Sequence, residues 1–434
     1  MEKLLDLARQ KGVKAEIIKV EKDRLPVSFK NGELDILLSE RSVDYALRVI
    51  KDGKLGFVST SSLDDRRGLL DKVLAMCIHG FEAGFDFPAV EEIVKLETVN
   101  ESLKDVSAGQ MIEEGRRLID YLKSRIPDKV SVFAGLSRVM TSVRIANTSG
   151  IDYRQDFTVF SGEVGGAFPG SGSGPWTEQL ALGFKPVSDK KLNDVVRQFK
   201  WGKEDSTPDG GKMQVLFAPS AYYALDWRLA AGISGRNLMD GISPLKGKVG
   251  EKVLDERVTI WDKAHYPNHP IARSFDDEGV ATSDRKIFDK GVFTGFLHSL
   301  YTASKVEGAQ PTGHGYKQGQ WQSGIATPPS PQTCHLAFEP GEKSSEKMIA
   351  DMKEGVILYV PLGAHSGNIP VGQLSVSVGV GYHVKDGKVQ GRAIDTMFSG
   401  NVYEMFKRLG GVSKNLSDGG IPWLLFDDVD VTGK

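Results

Sequence analysis

Short apolar runs separated by tight-turn residues occur along most of this chain. A dipeptide ending in glycine separates two such runs at four places: Asn31-Gly32, Asp52-Gly53, Lys290-Gly291 and Asp386-Gly387. A two-residue hairpin turn requires positive φ at both of its positions, and glycine, asparagine and aspartate adopt that conformation at least cost. The pattern therefore predicts β-hairpins, and hence strands, in both halves of the chain.

Helical spacing of apolar residues occurs between these strands. A helix is predicted over 64–80, with Leu70, Val73 and Cys77 on one stripe. Cys77 is accordingly interpreted as a small core residue, because a thiol on an apolar stripe is far more often buried than reactive. Further helices are predicted at the N-terminus and over 108–123.

The segment 213–239 combines a strand with a short helix. An apolar run from Val215 to Phe217 predicts the strand, and Pro219 ends it. Ser220 is expected to cap the helix that follows. Gly232 is expected to close that helix in the left-handed conformation that glycine adopts cheaply.

The middle of this helix is a position where many hydrolases have a nucleophile or a metal ligand. Here it carries Asp226, Trp227 and Arg228, and no histidine lies between His79 and His265. A zinc-binding helix needs two imidazoles on nearby turns and a carboxylate base. The sequence therefore predicts that this helix forms no such site.

The chain has 434 residues, which exceeds the usual limit of about 250–300 residues for one core. We expect an N-terminal unit over 1–100, a middle unit over 108–205 and a C-terminal domain over 211–434, with a boundary in the polar turn 203–212. Hairpins mixed with a few helices predict an α+β fold. Mixed or antiparallel sheets with flanking helices are expected in the first two units, and a largely β domain in the third.

Composition narrows the function classes. A formal charge of −2 with interspersed signs offers no basic surface for nucleic acid. No apolar run approaches the roughly 18 residues needed to span a bilayer. Two cysteines imply no disulfide framework. We therefore expect a cytoplasmic protein without nucleic-acid or membrane partners.

Other candidate sites are weak. The glycine-rich stretch 165–176 is not followed by the Lys-Ser/Thr pair of a phosphate loop and is interpreted as a surface loop. The triplet 276–278 could hold a cation, although a solvated turn is the commoner meaning of such a run. The remaining histidines lack the carboxylate spacing of a metal or acid–base site, and Cys334 and His335 are predicted to point to opposite faces of a strand. We predict no catalytic and no cofactor-binding residue.

Several phrases of the C-terminal half resemble the TldD/PmbA family, whose members were named modulators of DNA gyrase. The stretch 272–305, ARSFDDEGVATSDRKIFDKGVFTGFLHSLYTASK, is similar to the family's "FDDEG-x-x-T" phrase and the strand and helix after it. The stretches 329–358 and 363–409 match later family phrases in the same order, and 30–60 fits the N-terminal domain. One departure is Val371-Gly372-Gln373-Leu374-Ser375, where the family has Thr-Gly-Asp-Phe-Ser.

The resemblance implies a metallopeptidase family with two branches. The TldD branch has a His-Glu-x-x-x-His helix that binds a metal together with a C-terminal cysteine. Aligned on that helix, this chain has Asp226 and Ala231 in place of the histidines and Trp227 in place of the glutamate, and its last residues contain no cysteine. It is therefore similar to the TldE/PmbA branch, in which zinc is expected only in a TldD-like partner.

Three hypotheses follow from this resemblance. The first is a non-catalytic subunit of a cytoplasmic metalloprotease that degrades unfolded or extended peptides as a dimer with a TldD-like partner. The second is a homodimeric peptide- or protein-binding scaffold, and the third is an independent hydrolase without a metal. Residues interpreted as facing a partner or a peptide are His314, Tyr316, His365 and Asn368.

Overall fold

The N-terminal half of the chain forms one antiparallel sheet in a computed structural model that describes residues 1–317 and 324–433. Its strands are β1 (Lys14–Lys30), β2 (Glu33–Leu37), β3 (Glu40–Lys51), β4 (Lys54–Thr60), β5 (Ser131–Asn147), β6 (Asp152–Ala167) and β7 (Trp176–Ala181). They lie in the order β4-β3-β1-β5-β6-β7, and β2 pairs with the second half of β1. Strand β1 pairs with β5 from Glu16 opposite Asn147 to Lys30 opposite Phe133. The segments 1–100 and 108–205 therefore share a single sheet.

Helices cover this sheet. They are α1 (Glu2–Gln10), α2 (Arg66–Ile78), α3 (Ala108–Lys123) and α4 (Asp189–Trp201). Helix α3 begins with a capping box in which Ser107 and Gln110 bond each other's backbone N–H, which satisfies two donors at the helix end. The predicted stripe of α2 is confirmed, since Leu70, Val73 and Cys77 are buried in one core cluster. Burial raises the pKa of the Cys77 thiol, as expected of a core residue.

The four predicted hairpin turns are confirmed. Each has positive φ at both central residues, for example 54° and 86° at Asn31 and Gly32 and 48° and 71° at Asp386 and Gly387. The first two turns join β1 to β2 and β3 to β4, and the other two join the strand Arg285–Asp289 to Val292–Phe293 and the strand Gln373–Lys385 to Lys388–Ala393. Local turn chemistry therefore determines much of the strand connectivity.

The C-terminal half contains two further sheets and a two-stranded pair. Its strands are β8 (Asp205–Ser206), β9 (Gly211–Phe217), β10 (Ile260–Asp262), β11 (Arg285–Asp289), β12 (Val292–Phe293), β13 (Gly315–Tyr316), β14 (Ser330–Pro331), β15 (Leu336–Phe338), β16 (Glu354–Leu362), β17 (Gln373–Lys385), β18 (Lys388–Ala393), β19 (Met397–Asn401), β20 (Leu409–Leu416) and β21 (Pro422–Thr432). The larger sheet has the order β16-β9-β21-β19-β17-β18-β8, with β20 beside β21. The smaller has the order β12-β11-β10-β15, and β13 pairs with β14. The α+β class and the β-rich C-terminal domain are confirmed.

The short helices described in this half are α5 (Tyr223–Ile233), α6 (Gly235–Met239), α7 (Leu300–Lys305), α8 (Ser345–Asp351) and α9 (Val402–Lys407). The main core cluster includes Leu225 and Leu229 of α5 together with Phe217 of β9. The Phe217 ring meets Phe398 and Phe426 edge-on, each with a centroid distance of 5.4 Å. Helix α5 is therefore held against the larger sheet on its apolar side.

Buried charges join the two halves of the chain. The Arg48 guanidinium on β3 donates to Glu16 of β1 at 2.8 Å and to Glu278 at 2.7 Å, and all three side chains are at most 3% exposed. Glu278 belongs to the acidic triplet 276–278, and Asp276 beside it accepts backbone hydrogen bonds from Gly315 and Val280. The interpretation of this triplet as a solvated turn is therefore wrong. The Glu278 carboxylate joins the C-terminal half to the N-terminal sheet, and the Asp276 carboxylate holds the local loop.

Within the described residues, no helix is both long and apolar enough to cross a membrane.

Candidate functional site

Helix α5 lies where the sequence predicts it, but both of its ends differ from the prediction. The Ser220 hydroxyl donates to the Tyr359 carbonyl at 2.9 Å instead of capping the helix, which starts at Tyr223 after a short 3₁₀ turn. Gly232 lies inside the last turn with ordinary helical backbone, and Ser234 ends the helix. A Cβ at Gly232 would overlap the Tyr403 hydroxyl. Close packing against Tyr403 therefore explains why position 232 is a glycine.

The three positions that the resemblance aligns with the family's metal-binding residues all lie on α5. Asp226 offers one carboxyl group, whereas the indole of Trp227 and the methyl group of Ala231 offer no metal ligand. Over residues 1–317 and 324–433, no group of three or more His, Cys, Asp or Glu side chains has an arrangement that could hold a metal ion. The residues present on this helix therefore do not fit the metal of a metallopeptidase.

Asp226 lies in a strongly acidic environment. It is one helical turn after Tyr222, so both side chains are on the face of α5 that is directed toward Asp262 at the end of β10. Burial, and then the charge of Asp262, raise the pKa of Asp226 to about 7. Burial and the same two carboxylates raise the pKa of Tyr222 well above its usual value. Asp226 therefore changes its charge near neutral pH.

Asp262 connects this helix to the loops of the smaller sheet. Its carboxylate, fully buried, accepts hydrogen bonds from the backbone N–H groups of Cys334 and His335, at 3.0 and 2.7 Å. Its Oδ2 atom also lies 3.1 Å from Nε2 of the fully buried His314. This distance is within ion-pair range, but the ring is turned so that no hydrogen bond forms between the two groups. His314, interpreted from sequence as an isolated residue, thus has a carboxylate beside it.

Tyr316 and Cys334 complete the cluster. The Tyr316 ring lies edge-on to the His314 ring with a centroid distance of 6.4 Å. Burial, and then Cys334, Asp276 and Asp262, raise the pKa of Tyr316 well above its usual range. Burial also raises the pKa of the Cys334 thiol to about 12, so that it is a poor nucleophile.

A buried arginine of α5 fixes the neighbouring loop 363–373. The Arg228 guanidinium is fully buried and donates to the backbone carbonyls of Ala364, Ser366 and Gln373, as well as to Ala224 in its own helix. Burial lowers the pKa of Arg228 to about 10, which leaves it charged. The helix and the loop are therefore one rigid unit.

This loop carries two of the residues predicted to face a partner or a peptide. His365 and Asn368 are exposed, whereas the other two, His314 and Tyr316, are buried in the cluster beside α5. The prediction therefore divides into a surface pair and a buried pair, and their role in binding stays a prediction.

The glycine-rich stretch and a pair of histidines lie outside this cluster. The stretch 165–176 comprises the last residues of β6, the connection 168–175 and the first residue of β7. In the segment 265–269, His-Tyr-Pro-Asn-His, His269 stacks on His335 with a centroid distance of 5.9 Å. Burial, and then the charge of His335, lower the pKa of His269 to about 4, so this pair is neutral at physiological pH.

Two residues of the cluster escape sequence reasoning. Asp262 belongs to a strand of only three residues and gives no local signal, and Tyr222 resembles any apolar residue at helical spacing.

Comparison with known proteins agrees with this architecture. The family model of the PmbA/TldA metallopeptidase C-terminal domain matches residues 210–433, and that of PmbA/TldA metallopeptidase domain 1 matches residues 15–78. The chain is 25% identical over 413 residues to the uncharacterised protein MJ0231 of Methanocaldococcus jannaschii, covering 94% of this chain and 93% of that protein.

The name of another relative states an activity. The chain is 26% identical over 407 residues to a metalloprotease of Archaeoglobus fulgidus, covering 91% of this chain and 90% of the relative.

A solved structure has the same fold. TldE from Thermococcus kodakarensis superposes with a TM-score of 0.88 at 22% identity, and all of both chains is covered. Since the C-terminal family model spans more than half of the chain, this protein belongs to the PmbA/TldD family of metallopeptidase-like proteins.

Proposed function

We propose that this chain is a non-catalytic, TldE/PmbA-like subunit of a TldD/TldE-type metalloprotease that acts on unfolded or extended peptides. The observation that carries the proposal is the composition of α5, which has Asp226, Trp227 and Ala231 where the resemblance would place the family's metal-binding residues. One carboxyl group cannot hold a zinc ion and activate a bound water at the same time. The metal is then supplied by a TldD-like partner, and this chain needs none of its own.

The rigid unit of α5 and the loop 363–373 supports a role in shaping a substrate chamber. Four carbonyl groups hold the Arg228 guanidinium, so the exposed His365 and Asn368 keep a fixed position relative to the helix. Preformed surfaces bind peptides more tightly because less conformational entropy is lost on binding. His365 and Asn368 are our candidates for contact with a peptide or with the partner.

An exposed apolar strand supports the presence of a protein partner. Strand β2 pairs with β1 on one side only, and Leu34, Ile36 and Leu37 on it are 44–49% exposed. Exposed strands with apolar side chains are sites where another chain adds or packs. We assign this strand to the contact with the TldD-like subunit.

Co-expression with a TldD-like protein from the same cell tests the proposal. We expect a mixed complex that cleaves an unfolded protein substrate such as reduced casein, loses activity with a chelator and regains it with zinc. This chain alone should show no cleavage. A matched control complex contains a TldD-like protein whose first metal-binding histidine is changed to alanine, and it should assemble without activity.

Two outcomes would contradict the proposal. Cleavage by the isolated chain, or labelling of the chain by serine or cysteine active-site probes, would favour an independent hydrolase. A stable homodimer that never exchanges with the TldD-like protein would favour the binding scaffold.

A further inference from the structure

One edge of the N-terminal sheet, along β2 and the first part of β3, has no neighbouring strand among the described residues. Strand β2 pairs with β1 alone, and β4 pairs only with the later residues of β3. Both strands keep the same register with β1, since Val27 lies opposite Leu37 and Arg24 lies opposite Glu40. Residues 36–44 therefore form one uninterrupted edge, which is about 30 Å long at the usual rise per residue.

The backbone along this edge is able to bond another chain. The Leu38 N–H donates to the Pro26 carbonyl of β1 at 3.4 Å. In an antiparallel ladder the N–H and C=O groups of successive residues point to opposite sides. Those of Leu37, Ser39 and Arg41 therefore point away from β1, and no described strand lies on that side to pair with them.

The same edge is apolar and exposed to solvent. All of residues 33–43 are exposed, and the large apolar side chains among them are 37–49% exposed: Leu34, Ile36, Leu37, Leu38 and Val43. Proteins protect free sheet edges with bulges, prolines or covering segments, because an unprotected edge adds further strands. The bulge in this edge lies at its beginning, between Leu34 and Ile36, and no proline follows it. An edge of this kind indicates that another strand covers it.

A second copy of this chain matches the edge poorly. Consider two copies paired antiparallel about a twofold axis, with residues 34–44 aligned end to end. Leu37 of each copy then lies opposite Arg41 of the other, and Leu38 lies opposite Glu40. Directly opposite side chains make the contacts that stabilise a sheet, and here leucines meet charged groups. A different chain is therefore the better occupant.

The charges of the edge indicate the chemistry of that occupant. Two charged residues, Glu40 and Arg41, already form ion pairs with residues of β1. The other three, Glu33, Asp35 and Asp44, are acidic and form no ion pair with a described residue. Opposite charges on facing strands stabilise the pairing, and like charges destabilise it. The complementary strand therefore has apolar residues at its centre and lysine or arginine toward its ends.

We propose that the edge 33–44 adds a strand of the TldD-like subunit, so that the N-terminal sheet continues from one subunit into the other. This inference rests on the proposed function, and it specifies how the two subunits recognise each other. Main-chain hydrogen bonds to Leu37, Ser39 and Arg41 hold the added strand, and apolar side chains pack beside it. The three unpaired carboxylates select a basic strand over a second copy of this chain.

Proline substitution at Ser39 tests the main-chain bonds. Proline lacks the N–H that the added strand would accept, and a free edge tolerates it because this N–H is not bonded to β1. In calorimetric titration with the TldD-like subunit, we expect Ser39→Pro to weaken binding at least 10-fold. Ser39→Ala keeps the N–H and is the matched control, with an expected change of less than 2-fold. Unchanged affinity of a folded Ser39→Pro variant would overturn the proposal.

Hydrogen exchange tests the same contact without a variant. In the isolated chain, the N–H groups of Leu38 and Glu40 bond to β1 and should exchange slowly, whereas those of Leu37, Ser39 and Arg41 should exchange fast. In the mixed complex we expect these three to slow at least 100-fold and the other two to change little. Mass spectrometry with electron-transfer fragmentation resolves neighbouring residues. Fast exchange at all three positions in the complex would contradict strand addition.

Sedimentation of the isolated chain identifies a wrong occupant. We expect a monomer at micromolar concentration. A dimer that Ser39→Pro dissociates and Ser39→Ala leaves intact would show that a second copy covers the edge, and the proposal would fall. The proposed function fails separately: absence of any complex between the wild-type chain and the TldD-like subunit contradicts both, whereas an active complex that forms equally well with Ser39→Pro contradicts this inference alone.

Discussion

Two buried groups of charges differ in one respect, the presence of a cation. At the junction of the two halves, the Arg48 guanidinium lies between Glu16 and Glu278, within 2.8 Å of each. Beside α5, the charge of Asp262 helps to raise the pKa of Asp226, and no arginine or lysine among the described residues forms an ion pair with either carboxylate. A buried carboxylate with a cation supports the fold, whereas a buried carboxylate without one costs stability. The junction therefore supports the fold, whereas the charge on Asp226 opposes it.

Removing the cation at the junction should have the largest effect on the stability of the fold. Arg48→Met leaves Glu16 and Glu278 buried without a positive partner, and we expect a loss of about 3–5 kcal/mol in the free energy of unfolding. Urea denaturation followed by circular dichroism measures this loss. The control Arg24→Met breaks an exposed pair with Glu40 and should cost less than about 1 kcal/mol. Equal effects of the two substitutions would contradict the structural role of the junction.

Substitution of Arg228 measures how much a buried cation contributes to stability when only carbonyl groups accept its hydrogen bonds. Arg228→Met removes donors from four backbone carbonyls and should cost about 2–4 kcal/mol. We also expect faster proteolytic cleavage and faster amide exchange in the loop 363–373. The exposed Arg236 on α6 offers a matched control, since Arg236→Met breaks only a surface pair with Asp240. Unchanged cleavage of the loop in the Arg228 variant would show that other contacts fix it.

The acidic pair beside α5 predicts a smaller effect, a dependence of the free energy of unfolding on pH. The pKa of Asp226 is raised from 3.8 to about 7 in the folded chain, so the folded state binds this proton more tightly than the unfolded state does. Stability is therefore lost as the pH rises from about 4 through 7, by ~2 kcal/mol after allowance for partial exposure. Asp226→Asn should remove this part of the slope and stabilise the chain at pH 8, whereas Asp240→Asn should not. A slope that Asp226→Asn leaves unchanged would rule out the raised pKa.

The smallest predicted effect is a difference in stability between phenylalanine variants of two adjacent tyrosines. The Tyr222 hydroxyl is buried without a partner in the described chain, whereas the Tyr223 hydroxyl donates to the Pro361 carbonyl at 2.6 Å. Tyr222→Phe should therefore be neutral or slightly stabilising, and Tyr223→Phe should cost about 1 kcal/mol. Thermal unfolding of both variants measures the difference. A larger loss for Tyr222→Phe would show that its hydroxyl already has a partner in the free chain.

The sequence predicted the parts of the fold that depend on neighbouring residues. The hairpin at Asp52-Gly53 and the stripe of α2 follow from local backbone preference and helical spacing, and both are confirmed. The end of α5 was predicted wrongly, because Gly232 is required by the Tyr403 side chain that packs against it, and that contact joins distant parts of the chain.

The buried charges were less predictable for the same reason. A triplet of acidic residues normally indicates a solvated turn, and only the partner Arg48, on a strand of the other half, shows that Glu278 is buried. The α5 cluster likewise brings together a helix, a three-residue strand and a short pair of strands. The sequence also led us to align Asp226, Trp227 and Ala231 with the family's metal-binding positions, and this alignment stays a prediction.

The metal content of the purified mixed complex tests the central claim most directly. Our account predicts one zinc ion per pair of chains, retained when Asp226 of this chain is changed to alanine and lost when the TldD-like partner lacks its metal-binding histidines. Two zinc ions per pair, with one lost in the Asp226→Ala complex, would contradict it.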